Sequence, residues 1–290
     1  MSAVGHPLDW HLHLIWAVAL PTLVLLYHRA TRAPECRPTP RQWWSFHGAL
    51  VILLAAVMWP LGDLAAHWSL LALVLQRLLM MLAVPPLMVA GTPGPLIVSL
   101  TRPAAVDAVL RVIVKPVPAV AIVTAVSVGS LTTGAVGWAA GSDLARTLVQ
   151  VLVLLAGFVL WAPALTELPS GHRLSPLGRG GYLIVQSIVP SFLSVVWIFA
   201  RHSLYPPYDH GRAVAGLSPV LDQQLAGFLA KLSTIAVLWT VAFIIMTRAQ
   251  MTAGTDEDPD PLRWTDVERE IERAERRDRR SRWLPPQGDA

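Results

Sequence analysis

One arginine stands inside a long apolar stretch of the sequence, where its charge demands a partner. Arg77 lies near the middle of the stretch 67–95, next to Gln76 and ahead of a Pro-Pro pair. A charged side chain at the centre of a membrane helix costs at least about 2.5–3.5 kcal/mol if it faces lipid. Arg77 must therefore face protein, water or an anion, which makes it a candidate binding residue.

Further polar residues are predicted to lie in the same half of the membrane as Arg77 and Gln76. They are Arg146, Gln150, Lys231, Asp222, Gln223 and Gln224. Together these side chains predict a polar pocket that opens to one side and binds an anionic group or an acidic helix of another membrane protein. In the alternative interpretation, Arg146 and Lys231 extend to the lipid headgroups, and Arg77 pairs with a carbonyl group freed by the helix break.

Histidines form a second candidate site, because imidazoles near a carboxylate can bind copper or zinc. The candidate metal ligands are His11, His13, His67 and His202, all predicted on one side of the membrane. His11 and His13 cannot share a helix face, so a site there requires an irregular start of the first helix. The alternative is that these histidines are ordinary interfacial residues. Cys36 is the single cysteine, which excludes an internal disulfide.

The composition indicates a membrane protein with a polar tail. Of the 290 residues, 54% are hydrophobic and 14% are charged, and residues 1–246 hold only 14 of the 23 basic and 8 of the 19 acidic side chains. We predict a transmembrane domain over 1–246 and a charged cytoplasmic tail over 247–290. Thr265 and Glu268 form a capping-box pattern in the tail, where i,i+4 acid–base pairs favour a short exposed helix. The sequence contains no basic cluster of the kind that would indicate nucleic-acid binding.

Apolar segments that approach the roughly 20 residues needed to cross a bilayer must position these side chains. Seven are present, covering residues 10–27, 44–61, 68–90, 117–139, 144–161, 182–200 and 225–246. Tryptophan and tyrosine recur at their ends, as expected for an interfacial belt. The sequence therefore predicts an all-α, polytopic membrane bundle of about seven transmembrane helices.

The loop charges predict the orientation of the bundle. Basic residues concentrate in loops 28–43, 91–116 and 162–181, whereas loops 62–67 and 140–143 have none. Because basic loops stay on the cytoplasmic side, we predict an outer N-terminus and a cytoplasmic C-terminus.

Several motifs follow one another in an order typical of one protein family. They are Trp59-Pro60, the run QRLLMMLAVPPLMVAGTP at 76–93, the spaced Gly157, Trp161 and Pro163, Tyr205-Pro206-Pro207-Tyr208, and LDQQLAGF at 221–228. In this order the chain resembles the cytochrome c oxidase assembly factor CtaG family, seven-span membrane proteins of bacteria. The resemblance covers nearly all of residues 10–246.

The resemblance implies a role in maturing a haem-copper terminal oxidase in the bacterial cell membrane, near copper delivery on the outer side. The family typically carries intramembrane histidine pairs where this chain has Leu73 and Arg77, and Arg146 and Gln150. A guanidinium cannot ligate a cation and repels Cu⁺. We therefore expect metal handling at those positions to be lost, which leaves copper only as a possible cofactor of the outer histidines.

Three functions remain open from the sequence. The first is an assembly factor that binds subunits of a haem-copper oxidase, with Asp222, Gln223 and Gln224 as residues that match the family pattern. The second is a small-anion transporter or channel that uses Arg77 and Lys231. The third is a copper carrier that uses the outer histidines. No arrangement of catalytic side chains is evident, so we expect no enzyme activity.

Overall fold

The computed structural model describes residues 13–165, 174–209, 216–256, 268–269 and 271–276. Within these ranges every regular element is helical. The chain forms two compact units, Met1–Ile245 and Met246–Ala290. The α-helices are α1 Leu14–Ala30, α2 Pro40–Val57, α3 Leu61–His67, α4 Leu70–Leu78, α5 Val84–Gly91, α6 Gly94–Thr101, α7 Ala104–Ile113, α8 Pro116–Gly129, α9 Thr133–Gly141, α10 Asp143–Leu165, α11 Pro176–Phe199 and α12 Pro219–Asp256.

Five stretches of the described chain are helical, long and apolar enough to cross a membrane. They are Pro40–His67, Leu70–Gly91, Asp143–Leu165, Pro176–Phe199 and Pro219–Met251, and the number rises to six if α7 and α8 form one bent span. The shorter α1 has 17 residues and is also apolar. The predicted all-α membrane bundle is confirmed. The predicted total of seven spans is reached only if α1 is counted and if two helices separated by a break together form the fourth span.

The segment around α8 differs from the sequence prediction. Residues 91–116, predicted as a loop, contain α6 and α7. The predicted fourth span 117–139 is divided into α8 and α9, and the Thr132 hydroxyl caps α9 by accepting from the Ala135 N–H at 3.3 Å. Serine and threonine hydroxyls compete for backbone hydrogen bonds and favour helix ends over helix interiors. The polar residues at 130–133 therefore end one helix and begin the next.

The Pro-Pro pair interrupts the helix that carries Arg77. Proline has no N–H, so carbonyl groups one turn earlier lose their helical partner. Residues Leu79–Ala83 form a π-helix there, and the Trp161 indole N–H of α10 donates to the Met81 carbonyl oxygen at 3.0 Å. A Cβ atom at Gly157 would lie 2.7 Å from Pro85 Cγ, so only glycine lets α10 approach this closely.

The Gly-Thr-Pro sequence that begins with Gly91, the last residue of α5, packs against the first two helices. The Tyr27 hydroxyl donates to the Gly91 carbonyl oxygen at 2.9 Å, and the Tyr27 ring stacks on Phe46 with centroids 3.7 Å apart. A Cβ atom at Gly91 would lie 2.4 Å from the Phe46 amide nitrogen. Side chains from other helices thus bond the run 76–93 at Met81 and at Gly91.

The C-terminal unit is described only in part. The last helix continues past the predicted end at 246 to Asp256. In the tail, residues 268–269 and 271–276 are helical, and Arg276 Nη2 lies 3.2 Å from Glu272 Oε2 on the exposed surface. This is one of the predicted i,i+4 pairs. Thr265 lies outside the described residues, as do Arg279, Asp278 and Arg282 of the other two predicted pairs, Glu275–Arg279 and Asp278–Arg282.

Candidate functional site

The buried carboxylate of Asp222 holds the N-terminus of α4 against α12. Asp222 Oδ1 accepts from the Ser69 hydroxyl at 2.7 Å, and Oδ2 accepts from the amides of Leu70 at 2.7 Å and Leu71 at 3.3 Å. The first amides of a helix have no internal partner, and a negative charge is favoured there. Asp222 is therefore occupied by a structural contact between two helices.

The two glutamines that follow Asp222 hold the loop after α11. Gln223 Oε1 accepts from the Leu204 amide at 2.9 Å, and Gln224 Nε2 donates to the Ala200 carbonyl oxygen at 3.2 Å. The Gln223 Nε2 atom is buried and has no hydrogen-bond partner among the described residues. Gln223 alone of the triplet keeps a buried donor without a partner in this part of the chain.

The same loop is attached to the bundle by two tyrosines. The Tyr208 hydroxyl donates to the Ala65 carbonyl oxygen at 2.7 Å, and the Tyr205 hydroxyl donates to the carbonyl oxygen of Leu131. Burial raises the pKa of Tyr208, so its hydroxyl stays protonated as this donor. Both tyrosines belong to the sequence motif at 205–208, but the motif did not indicate that their hydroxyls bond this loop to other parts of the bundle.

Two of the glutamines within the apolar spans, Gln76 and Gln150, bind neighbouring helices. Gln76 Nε2 donates to the Ala56 carbonyl oxygen of α2 at 2.7 Å, and Gln150 Oε1 accepts from the Trp16 indole N–H of α1 at 2.6 Å. Both side chains are buried. A buried amide with a well-placed partner stabilises helix packing, and these two contacts link α4 to α2 and α10 to α1.

Arg146 lies in the first turn of α10 and is bonded on two sides. Its Nη1 donates to Asp143 Oδ1 at 2.9 Å, and its Nη2 lies 3.1 Å from His67 Nε2. The His67 nitrogen can accept this bond only if the ring is neutral. Arg146 Nε is buried without a hydrogen-bond partner in the described chain. The side chain is 10% exposed, so it is enclosed by protein contacts in this bundle.

Arg77 is the buried cation with the most unused hydrogen-bonding capacity at this site. It is 6% exposed, and its Nε and Nη1 atoms have no hydrogen-bond partner among the described residues. The Met81 carbonyl group, one candidate partner after the helix break, accepts from Trp161 instead. Removing an unpaired charge from water costs several kcal/mol, so Arg77 favours an additional anionic partner.

Two cavities meet at Arg77. The larger, of about 70 Å³, lies between α4, α8, α10, α11 and α12, and its polar lining comprises Arg77, Ser127, Ser130, Gln186, Ser194 and Thr234. The Gln186 Oε1 atom is also buried without a partner in the described chain. The smaller, of about 10 Å³, is lined by Leu73, Gln76, Arg77, Arg146 and Tyr208 among other residues.

The smaller cavity is lined by three of the four residues that stand where the family resemblance implies histidines. Leu73, Arg77 and Arg146 stand where that resemblance implies histidines, and all three line it. Gln150, the fourth such position, is bonded to Trp16 instead. No carboxylate among the described residues lines either cavity. Lys231 is half-buried on α12 and lines neither one.

The predicted metal ligands are placed separately. His13 Nε2 lies 3.2 Å from Asp63 Oδ1, His67 contacts Arg146, and His202 is exposed. His11 lies outside the described residues. In the described ranges, no three His, Cys, Asp or Glu side chains are grouped as a metal site requires. The His13–Asp63 pair supplies two of the ligands that a copper or zinc site would need.

The sequence did not lead us to predict Trp161 or Gln186 as site residues, although both contribute to the site. Trp161 donates to the carbonyl group that was one candidate hydrogen-bond acceptor for Arg77, and Gln186 lines the larger cavity. Trp161 was visible only as part of a spaced motif. Gln186 was detectable in principle, because an amide within an apolar span is costly unless it faces protein or a cavity.

The chain matches the model of a known protein family. The family model described as "Cytochrome c oxidase caa3 assembly factor (Caa3_CtaG)" matches residues 23–251. The match includes Arg77, Arg146, Asp222 and both cavities. Neither a curated protein nor a solved structure gives a significant match to the chain.

Proposed function

Because the chain belongs to the Caa3_CtaG family of cytochrome c oxidase caa3 assembly factors, we propose that it assists oxidase assembly by binding a subunit of a haem-copper oxidase. The binding takes place in the bacterial cell membrane. The family assignment supports the assembly role as a whole. The mode of action, subunit binding through Arg77 and Arg146, is our inference from the geometry of the two cavities.

One observation carries this mode of action. Two buried guanidinium groups, Arg77 and Arg146, line the same small cavity, and no described carboxylate lines it with them. Asp143 contacts Arg146 from the rim and is 84% exposed at its side chain. A carboxylate from outside the chain would lower the cost of burying these charges, since charge-assisted hydrogen bonds are about twice as strong as neutral ones.

The partner group is therefore an acidic side chain or a haem propionate of an oxidase subunit. The bundle end that carries Arg146, His67 and Tyr208 is the end that loop charge assigns to the outside. We propose that the subunit approaches from that end and inserts its carboxylate toward Arg77. Asp222, Gln223 and Gln224 keep the loop and α4 in place, so their role in docking is to position the site.

The experiment has a genetic arm and a biochemical arm. Deletion of the gene is expected to lower the amount of assembled haem-copper oxidase, measured by haem absorption and oxidase activity in membranes. Normal oxidase amount, copper content and activity in the deletion strain would overturn the assembly role. Complementation with the wild-type chain is the control.

The biochemical arm tests the docking residues. Arg77→Gln and Arg146→Gln are expected to reduce co-purification of oxidase subunits at least tenfold, with unchanged abundance of the variant chains. Lys231→Gln is the matched control, because Lys231 is a cation on a membrane helix that lines neither cavity. Equal loss in all three variants would contradict a specific carboxylate site. Loss of anion uptake in Arg77→Gln, with oxidase assembly intact, would indicate the transporter function instead.

A further inference from the structure

The amphipathic helix α7 has no place in the packed core of the bundle. None of its ten residues, Ala104–Ile113, is buried. Val106, Val109 and Val112 are 40%, 56% and 57% exposed. A helix that leaves its valines uncovered by protein requires another apolar surface to cover them.

The residues of α7 separate into two faces. At 100° per residue, Val106, Val109, Leu110 and Ile113 fall on one side of the helix, and Val112 lies at the edge of that side. Asp107 and Arg111 fall on the opposite side, where Arg111 Nε donates to Asp107 Oδ2 at 2.9 Å. This pattern is typical of helices that lie at a boundary between lipid and water.

The direction of α7 fits such a boundary. Its axis makes an angle of 86° with that of α8, the apolar helix that follows it. Ten helical residues extend about 15 Å, half the thickness of the hydrocarbon core, so α7 by itself cannot cross the membrane. If it entered the hydrocarbon as part of a bent span, its charged face would also be buried in lipid at a high cost. An orientation in the membrane plane satisfies both faces.

Basic residues lie at both ends of this helix and on its polar face. Arg102 and Lys115 are exposed at its two ends, and Arg111 lies on its polar face with 63% of the side chain exposed. Only Asp107 is acidic between residues 102 and 115. The helix and its ends therefore carry a net positive charge, which complements the phosphate groups of an anionic lipid surface.

We propose that α7 lies flat in the headgroup layer and binds anionic phospholipid. The apolar face enters the boundary between headgroups and acyl chains, and Arg102, Arg111 and Lys115 bind lipid phosphate. The occupant of this face is the bilayer that surrounds the protein. The site does not depend on oxidase binding, because none of its residues lines the cavities at Arg77.

The first test measures the depth of the two faces. Cys36 is the single cysteine, so a Cys36→Ser background accepts one new label site at a time. Spin labels are placed at Val106→Cys on the apolar face and Ala108→Cys on the polar side in the full chain. The protein is reconstituted into nanodiscs of phosphatidylcholine with phosphatidylglycerol. We expect oxygen to relax the Val106 label preferentially and a water-soluble nickel complex to relax the Ala108 label. Equal oxygen preference at both sites, or equal nickel preference, would overturn the in-plane orientation.

The second test measures lipid retention. Each basic residue near an anionic surface contributes about fivefold to binding. The triple variant Arg102→Gln, Arg111→Gln, Lys115→Gln is thus expected to retain phosphatidylglycerol at least about tenfold less strongly, measured by native mass spectrometry. The matched control changes three basic residues of the loop after α1, at positions 29, 32 and 37, to glutamine. An equal loss in the two triple variants, or no loss in the α7 variant, would contradict a specific site on α7.

Discussion

Replacing Arg77 by methionine is expected to stabilise the isolated protein while it abolishes subunit binding. The guanidinium is buried, and its Nε and Nη1 atoms have no partner in the described chain. Replacing a buried ion pair by apolar side chains of similar volume is often neutral or stabilising by about 1–4 kcal/mol, and a buried charge without a partner has no Coulombic gain to lose. Methionine has a flexible chain of similar length that can fill the space of the arginine stem.

The void left by this substitution opposes the gain only weakly. A new cavity costs about 24 cal/mol per Å³, so a void of about 20 Å³ would cost about 0.5 kcal/mol. The charge effect exceeds the void effect, and a net stabilisation of about 1–3 kcal/mol remains. At about 2–4 °C per kcal/mol, the apparent Tm should rise by about 2–12 °C.

The assay is thermal unfolding of the purified chain in detergent, followed by intrinsic tryptophan fluorescence. A buffer with gluconate as its main anion avoids small anions that would neutralise Arg77. Arg77→Lys keeps the charge and is expected to give no rise in Tm. Lys231→Met removes a half-buried cation outside both cavities and should change the stability by less than about 0.5 kcal/mol. A fall in Tm for Arg77→Met would refute the reasoning, because it would show that the guanidinium is already compensated inside the protein.

Three further substitutions follow from the contacts of the site. Asp222→Ala should lower the free energy of unfolding by about 3–5 kcal/mol, because it removes the acceptor of two buried hydrogen bonds and one partly buried hydrogen bond. A loss below about 1 kcal/mol in thermal unfolding would contradict this. Trp161→Phe should cost about 1–3 kcal/mol by leaving the π-helix carbonyl group unpaired, whereas the same change at the exposed Trp44 should cost little. The double variant Leu73→His, Arg77→His places two imidazoles one turn apart at the same cavity. It should bind Cu⁺ more tightly than the wild type in a competition assay with a chromogenic chelator. An unchanged affinity for Cu⁺ would contradict this cavity geometry.

The helical class was predictable because it depends on local sequence. An apolar run of suitable length must satisfy its backbone hydrogen bonds within the helix if it lies in lipid. The depth of Arg77 followed from its position within such a run. The loop predicted at 91–116 was wrong because α7 is short and amphipathic, and a search for long apolar runs does not detect such a helix.

The roles of the polar residues depended on contacts between distant parts of the chain. Asp222 and Ser69 are 153 residues apart in sequence, and Gln150 and Trp16 are 134 residues apart. From the residue types alone, the Asp222 carboxylate and the Gln150 amide were equal candidates for binding a partner. In the folded chain the Asp222 carboxylate accepts three hydrogen bonds from α4 and the residue before it, and the Gln150 amide accepts one from Trp16.

The sequence by itself determined that a charged side chain stands at mid-membrane depth and must find a partner. Only the tertiary structure decided that Trp161 takes the nearby carbonyl group and that Arg77 and Arg146 meet at one cavity. The physical reason is that burial cost is set by position along a helix, whereas compensation is set by which side chains the packing of other helices brings within hydrogen-bonding distance.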